Sequence, residues 1–214
     1  MHWIIVTGFE PFGGESVNPS WQLAKQLDGW QPNEECTVKA IELPCVFDES
    51  IDRLNHALAQ YQPCLVLALG QAGGRSAFSL EKVAINYNDA RIADNAGQQP
   101  IDTATIPDGP TAYFSTLPLK AIVHALHQQH IPAEISYSAG TYVCNHLFYG
   151  LMHALKGQPK VRAGFIHIPL SPQQACQHKA PSMSIEMGVE AVKTTIDIAL
   201  TQHEDMLISL GNLN

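Results

Sequence analysis

Cys64-Leu65-Val66-Leu67-Ala68-Leu69 is an unbroken apolar run that stops at Gly70. It is strand-length and lacks the polar alternation of a strand with one face in water, so it predicts a strand buried on both sides. Residues 3–6 and 163–168 read the same way. Such runs mark a parallel sheet covered by helices, and helical stretches do fall between them. Asn18-Pro19 is a cap followed by proline at the first helical position, opening a helix to about residue 27. Residues 48–60 and the adjoining Tyr61 set Ile51, Leu54, Leu58 and Tyr61 on one face, and residues 118–129 do the same with Leu119, Ile122, Val123 and Leu126. Residues 182–203 carry Ile185, Val189, Val192, Ile196 and Leu200, a long amphipathic closing helix. Further strands are predicted at 37–43, 78–85 and 134–139. The alternation predicts an α/β architecture with a mostly parallel sheet, and residues 1–214 as one domain.

Residues 86–118 break that rhythm, being rich in turn formers and poor in periodicity. A loop of that length tends to be functional or to hold a small hairpin. It reads either as a lid or assembly element or as a plain surface excursion.

Composition narrows the function classes. The 214 residues suffice for one large core. A formal net charge of −8, with no run of Lys or Arg, argues against a nucleic-acid partner. No apolar run approaches the ~18–20 residues of a membrane span, so no membrane partner is expected. The opening Met1-His2-Trp3-Ile4-Ile5-Val6-Thr7-Gly8 lacks the basic region and cleavage site of a signal peptide. Five cysteines, an odd number with no C-x-x-C pair, predict reduced thiols and a cytoplasmic setting.

The chemistry centres on Ser138-Ala139-Gly140-Thr141-Tyr142-Val143-Cys144-Asn145. A short apolar strand ends near Gly140. Leu147, Leu151 and Leu155 then recur before Gly157 and Pro159, so a helix runs from 141 or 144 to 156. Cys144 therefore falls in the first turn of a helix. Free amides and the positive dipole end there lower a thiol pKa and can hold an oxyanion. By position alone Cys144 is either a nucleophile or a small hydrophobe.

A thiolate nucleophile wants a histidine base and a group that orients it. Of ten histidines, His124, His127 and His130 lie along one helix with no cysteine or carboxylate set to complete a metal site, so no metal is expected. His146, two residues from Cys144, points about 200° round the helix. His167, in Gly164-Phe165-Ile166-His167-Ile168-Pro169, falls near the C-terminal end of a buried strand, the edge at which such turns open. It reads as a satisfied core residue alone, and as a base if paired with Cys144. Glu81, beside Lys82, reads alone as a surface charge. The glycine-rich residues 70–75 lack the Lys-Ser/Thr of a phosphate loop. Residues 7–14 carry Phe9 and Phe12, flat apolar walls suited to an uncharged planar ligand.

Together these segments resemble one family of cysteine peptidases, pyroglutamyl peptidase I, also called pyrrolidone-carboxylate peptidase. The resemblance rests on G-F-E-P-F-G-G with N-P-S (residues 8–20), G-Q-A-G-G-R with E-K-V-A-I-N (70–86), N-D-A-R-I-A-D-N (88–95), S-A-G-T-Y-V-C-N (138–145) and G-F-I-H-I-P (164–169), in that order. It implies a three-layer α/β/α sandwich with a mostly parallel, mixed, twisted sheet, and a catalytic triad of Glu81, Cys144 and His167. It implies removal of N-terminal pyroglutamate from peptides through a thioester, no metal or other cofactor, and a homotetramer. Phe9 and Phe12 would line the lactam pocket beside Tyr142 and Val143, the backbone at Gln71 would recognise the lactam, and Arg91 would lie near the reacting carbonyl. Departures are Phe78, where an aliphatic residue is more usual, and Tyr142, where phenylalanine is common. A neutral five-membered lactam fits aromatic walls and one or two backbone hydrogen bonds. Two other readings suit a Phe-lined pocket: a non-catalytic module binding a small neutral ligand, and a cysteine amidase for another small amide.

Overall fold

The computed structural model of the protein describes residues 2–211. The three apolar runs form β1 (His2–Phe9), β3 (Leu65–Gln71) and β8 (Arg162–Ile168), which lie parallel and adjacent. With β2 (Cys36–Leu43), β4 (Phe78–Glu81) and β7 (Ala133–Ser136) they make a six-stranded sheet ordered β2-β1-β3-β8-β4-β7. Only the β4–β8 pairing is antiparallel, so the sheet is mostly parallel and mixed.

Helices cover both faces because successive strand residues point opposite ways. Leu65, Leu67 and Leu69 enter one core with Ile166 and Ile168 of β8. That core is closed by α1 (Pro19–Gln26), α3 (Leu119–Gln128) and α6 (Ile185–Thr201). Val66 and Ala68 enter the other with Ala163 and Phe165, under α2 (Glu49–Tyr61) and α4 (Val143–Leu155). The result is the α/β/α layering. The Asn18 side chain caps α1 by accepting from Ser20 N–H at 3.1 Å, with Pro19 next in line.

Three local expectations change. Residues 78–85 are not one strand: β4 ends at Glu81 and β5 (Val83–Ile85) pairs antiparallel with β6 (Ala112–Phe114) in a second small sheet. The switch falls at Lys82, whose N–H donates to Ser136 O while its carbonyl accepts from Ser115 N–H. The long loop thus contains half a hairpin, plus a bridge between Asn88 and Thr103. The strand expected to reach residue 139 stops at Ser136, and Gly140 turns the chain at φ 78°. A short helix, α5 (Pro172–His178), appears where none was predicted. Its capping box was in plain view, since Ser171 and Gln174 cap each other with Pro172 between.

Candidate active site

The site lies where the strand ends of β3, β4 and β8 meet the start of α4. On β8, Ala163 and Phe165 face the α4 core, so by period two His167 faces it too. On β4, Phe78 and Leu80 face the opposite core, leaving Glu81 on the α4 side. His167 Nδ1 and Glu81 Oε1 are 2.7 Å apart, with Glu81 wholly buried and His167 nearly so. A carboxylate can only accept, so Nδ1 carries the hydrogen and Nε2 is left as a base.

Cys144 is the second residue of α4. Tyr142, at the N-cap, is extended and makes no side-chain cap, so the first-turn amides are not spent on one. Gly70 is the register partner of His167 and also faces α4. A Cβ at Gly70 would stand 2.9 Å from Cys144 Sγ and 2.6 Å from Phe165 Cζ. The bare glycine is therefore what lets the sulfur settle onto the sheet beside the imidazole strand. The Phe165 ring packs edge-on against His167 at 5.0 Å.

Burial dominates the electrostatics of the site. Burial pushes the Cys144 thiol far up, the charges of Cys45 and Glu81 add to this, and Arg75 opposes it. Burial also pushes the His167 imidazole below its usual range, against the Glu81 hydrogen bond and charge, with Arg75 adding to the lowering. Burial would raise the Glu81 carboxyl, but the His167 hydrogen bond and charge, the Ser136 hydroxyl and Arg75 together hold it below the carboxylate range. Burial thus favours the uncharged forms of the thiol and the imidazole, while His167, Ser136 and Arg75 favour the charged form of the carboxylate.

Phe9 ends β1, is buried in the α4 core and donates its N–H to Ser20 Oγ. Phe12 is partly buried and lies 6.2 Å, ring to ring, from Tyr142. Tyr142 in turn meets Phe47 edge-on at 5.5 Å and donates its hydroxyl to Ala93 O. Val143 is wholly buried. Gln71 closes β3; its Oε1 accepts from Gln174 Nε2 at 2.9 Å, and it lines a hollow of about 300 Å³ with Glu15, Leu170 and His178. Arg91 is exposed on the long loop, but its neighbours are laced to the turn before Cys144: Asp89 N–H donates to Thr141 O, and Thr141 Oγ1 to Asp89 O. Sequence reasoning missed Gly70, Phe47 and Arg75. Arg75 Nη1 donates to Glu81 Oε1 at 2.9 Å, and the signal for it was the lone cation ending the glycine-rich segment. Among the described residues no group of three or more His, Cys, Asp or Glu could hold a metal ion, and no helix is long and apolar enough to cross a membrane.

An α/β sheet that gathers a thiol, an imidazole and a buried carboxylate at its strand ends has the makeup of a cysteine-type hydrolase. The chain belongs to the pyroglutamyl peptidase family, whose model matches residues 2–202. It is 53% identical over 209 residues to a pyrrolidone-carboxylate peptidase of Klebsiella pneumoniae (strain 342), covering 97% of each chain. It is 51% identical over 207 residues to that of Enterobacter sp. (strain 638), covering 96% of each. The crystal structure of pyroglutamyl peptidase I from Bacillus amyloliquefaciens superposes with a TM-score of 0.94 at 43% identity, over 98% of this chain and 100% of that one.

Proposed function

We propose that this protein is a cysteine exopeptidase that removes an N-terminal pyroglutamyl residue from peptides. The observation that carries the chemistry is the buried 2.7 Å Glu81–His167 pair on the sheet face that also receives Cys144. Family membership carries the substrate class. Cys144 Sγ attacks the carbonyl that joins pyroglutamate to the next residue, and its proton passes to His167 Nε2. First-turn amides of α4 hold the oxyanion. Collapse breaks the C–N bond, and His167 returns the proton to the leaving amine. Water then gives a proton to His167 as its oxygen attacks the thioester, freeing pyroglutamate and restoring the thiol. Glu81 keeps His167 in the tautomer this requires.

Phe9, Phe12, Tyr142 and Val143 supply walls for a lactam with no charge to pair, the backbone at Gln71 supplies hydrogen bonding, and Arg91 approaches the reacting carbonyl from the long loop. The same reading takes residues 1–214 as one domain acting without a cofactor as a cytoplasmic homotetramer. Five free thiols support the compartment, and Phe114, 66% exposed on the small sheet, supports a subunit contact. The test is turnover of pyroglutamyl-aminomethylcoumarin, with alanyl- and prolyl-aminomethylcoumarin as controls, before and after thiol alkylation. Turnover of the pyroglutamyl amide alone, abolished by alkylation, is expected. Equal turnover of all three, or none, would overturn the proposal.

A further inference from the structure

We infer that Arg75 is a positioning residue of the active site, holding the triad carboxylate and the nucleophile's turn in one grip. The inference rests on the proposed role of Glu81, His167 and Cys144. Arg75 ends the turn that follows β3, and its guanidinium reaches in two directions. Nη1 donates to Glu81 Oε1 at 2.9 Å, the same oxygen that accepts from His167 Nδ1 at 2.7 Å. Nη2 donates to the Ser138 carbonyl at 3.0 Å, across 63 residues of chain. Ser138 stands between the end of β7 and Gly140, in the turn that delivers Cys144 to the start of α4. One planar fork thus fixes the distance between the element that orients the base and the element that presents the sulfur. Lysine, a point donor on a flexible stem, lacks the rigid fork that fixes the two acceptors relative to each other.

The setting makes this grip consequential. Glu81 is wholly buried, and its Oε2 has no hydrogen-bond partner. Its charge is answered by the His167 imidazole and Arg75 at Oε1 and by the Ser136 hydroxyl, and of these only Arg75 is a permanent cation. A buried carboxylate with no cation nearby would take up a proton and cease to hold the Nδ1–H tautomer. The outer side of Arg75 opens onto a groove of about 630 Å³ along β7, shared with Glu134, Ser136, Tyr137, Ser138 and Gly211. The cation is thus reachable from solvent while its anion is not.

His167 is faced by Glu81 from β4, by Arg75 from the turn after β3 and, on its own strand, by the uncharged Phe165 ring, and Cys144 of α4 lies against its register partner Gly70. Arg75 is the one cation among them and opposes imidazolium. In Arg75→Met the acid limb of the kcat/KM profile should therefore move to higher pH. The same variant should lose about 10- to 100-fold in kcat with KM within about twofold, the size of effect expected of a misaligned acid–base partner. Arg75→Lys should keep the acid limb near that of the parent while kcat stays reduced. In Arg75→Ala, millimolar guanidinium should restore part of kcat by entering from the groove, which also controls for folding. A substrate-free readout keeps this separate from the peptidase reading: alkylation of Cys144, followed by mass spectrometry against pH, should be slower at neutral pH in Arg75→Met. If the parent protein hydrolyses no pyroglutamyl amide, the peptidase reading fails and the alkylation profile alone judges Arg75. Parent-like kcat, acid limb and alkylation profile in Arg75→Met would overturn the inference. So would equal losses in kcat, KM and thermal stability with no shift in either pH profile and no rescue by guanidinium.

Discussion

Gly70→Ala is the sharpest probe of how the sulfur is seated. The backbone at Gly70 lies outside the left-handed region, so alanine meets no conformational strain there. The effect is purely one of space. The new methyl would lie 2.6 Å from Phe165 Cζ and 2.9 Å from Cys144 Sγ, against the ~3.5–4.0 Å of a comfortable carbon contact, so something must move about 1 Å. Phe165 is wholly buried between α4 and the sheet. The sulfur, nearer the surface, is the atom that yields. Overpacking of this kind costs about 2 kcal/mol, which for a chain of this length lowers Tm by about 4–8 °C. A 1 Å error at the nucleophile costs about 100-fold in rate. The assay is steady-state kinetics on a pyroglutamyl amide beside calorimetric melting. Gly150→Ala serves as the comparison, because the atoms nearest its methyl would all belong to the half-buried Ile51 side chain across the α2–α4 contact. It should lower Tm and leave kcat unchanged. A Gly70→Ala enzyme with parental kcat would refute the seating of Sγ against β3.

Iodoacetamide should modify Cys176 as well as Cys144, because Cys176 is exposed on α5 and Cys144 is partly accessible, whereas Cys36 and Cys45 are buried. Inactivation should follow the Cys144 adduct in peptide mapping and persist in Cys176→Ser; inactivation lost in Cys176→Ser would displace Cys144 as the nucleophile. Phe12→Ala should raise KM by the equivalent of about 1–3 kcal/mol with little change in Tm, whereas Phe9→Ala, buried in the core, should also lose about 3–5 kcal/mol of stability in urea titration. His146 is buried and held neutral, its pKa pushed down to about 4 by burial against the pull of Asp48. The unfolded chain, titrating near 6.5, binds more protons between those values, so this contribution is intact above pH 6.5 and is lost as pH falls toward 4. The loss totals about 3 kcal/mol at ~1.4 kcal/mol per pH unit. Denaturant midpoints at pH 7 and 5 should therefore converge in His146→Gln relative to the parent, and an unchanged gap would exclude His146 as the source.

Much of this was readable in the chain because it depends on local pattern. The runs at 64–69 and 163–168 announced a doubly covered sheet, since no strand with a wet face has that composition. Asn18-Pro19 announced a helix start. His167 and Cys144 could be assigned to one sheet edge from strand direction alone. Glu81 could not, because burial of an acid beside Lys82 depends on which strand lies next to β4, a tertiary fact. Residues 78–85 read as one strand because nothing in the side chains marks the change of partner at Lys82, which is made by backbone groups. The surroundings of the thiol were hidden for a related reason: the helix start is visible in sequence, whereas the packing of the sulfur against β3 and the nearness of Cys45, Glu81 and Arg75 are not. The missed helix α5 was different, because Ser171-Pro172-Gln173-Gln174 carried its own signal.

The reversed direction of β4 sets how this site can fail. Ser79 stands directly across from His167, and Leu80 across from Ile166, so Glu81 reaches the imidazole on the diagonal, from the interior side of the sheet. A parallel neighbour would have offered its last residue at the rim, in water. Arriving from within, the acid stays dry while the far nitrogen of the ring is left for the substrate. The arrangement has no intermediate settings, because strands shift in whole residues. A one-residue slip of β4 would turn Glu81 into the core beneath α3 and α6 and bring Leu80 toward the imidazole. Loss of function through this strand would therefore come as a single step, with misregistered molecules inactive and the rest unimpaired, so that a damaged population would show fewer working sites and not slower ones.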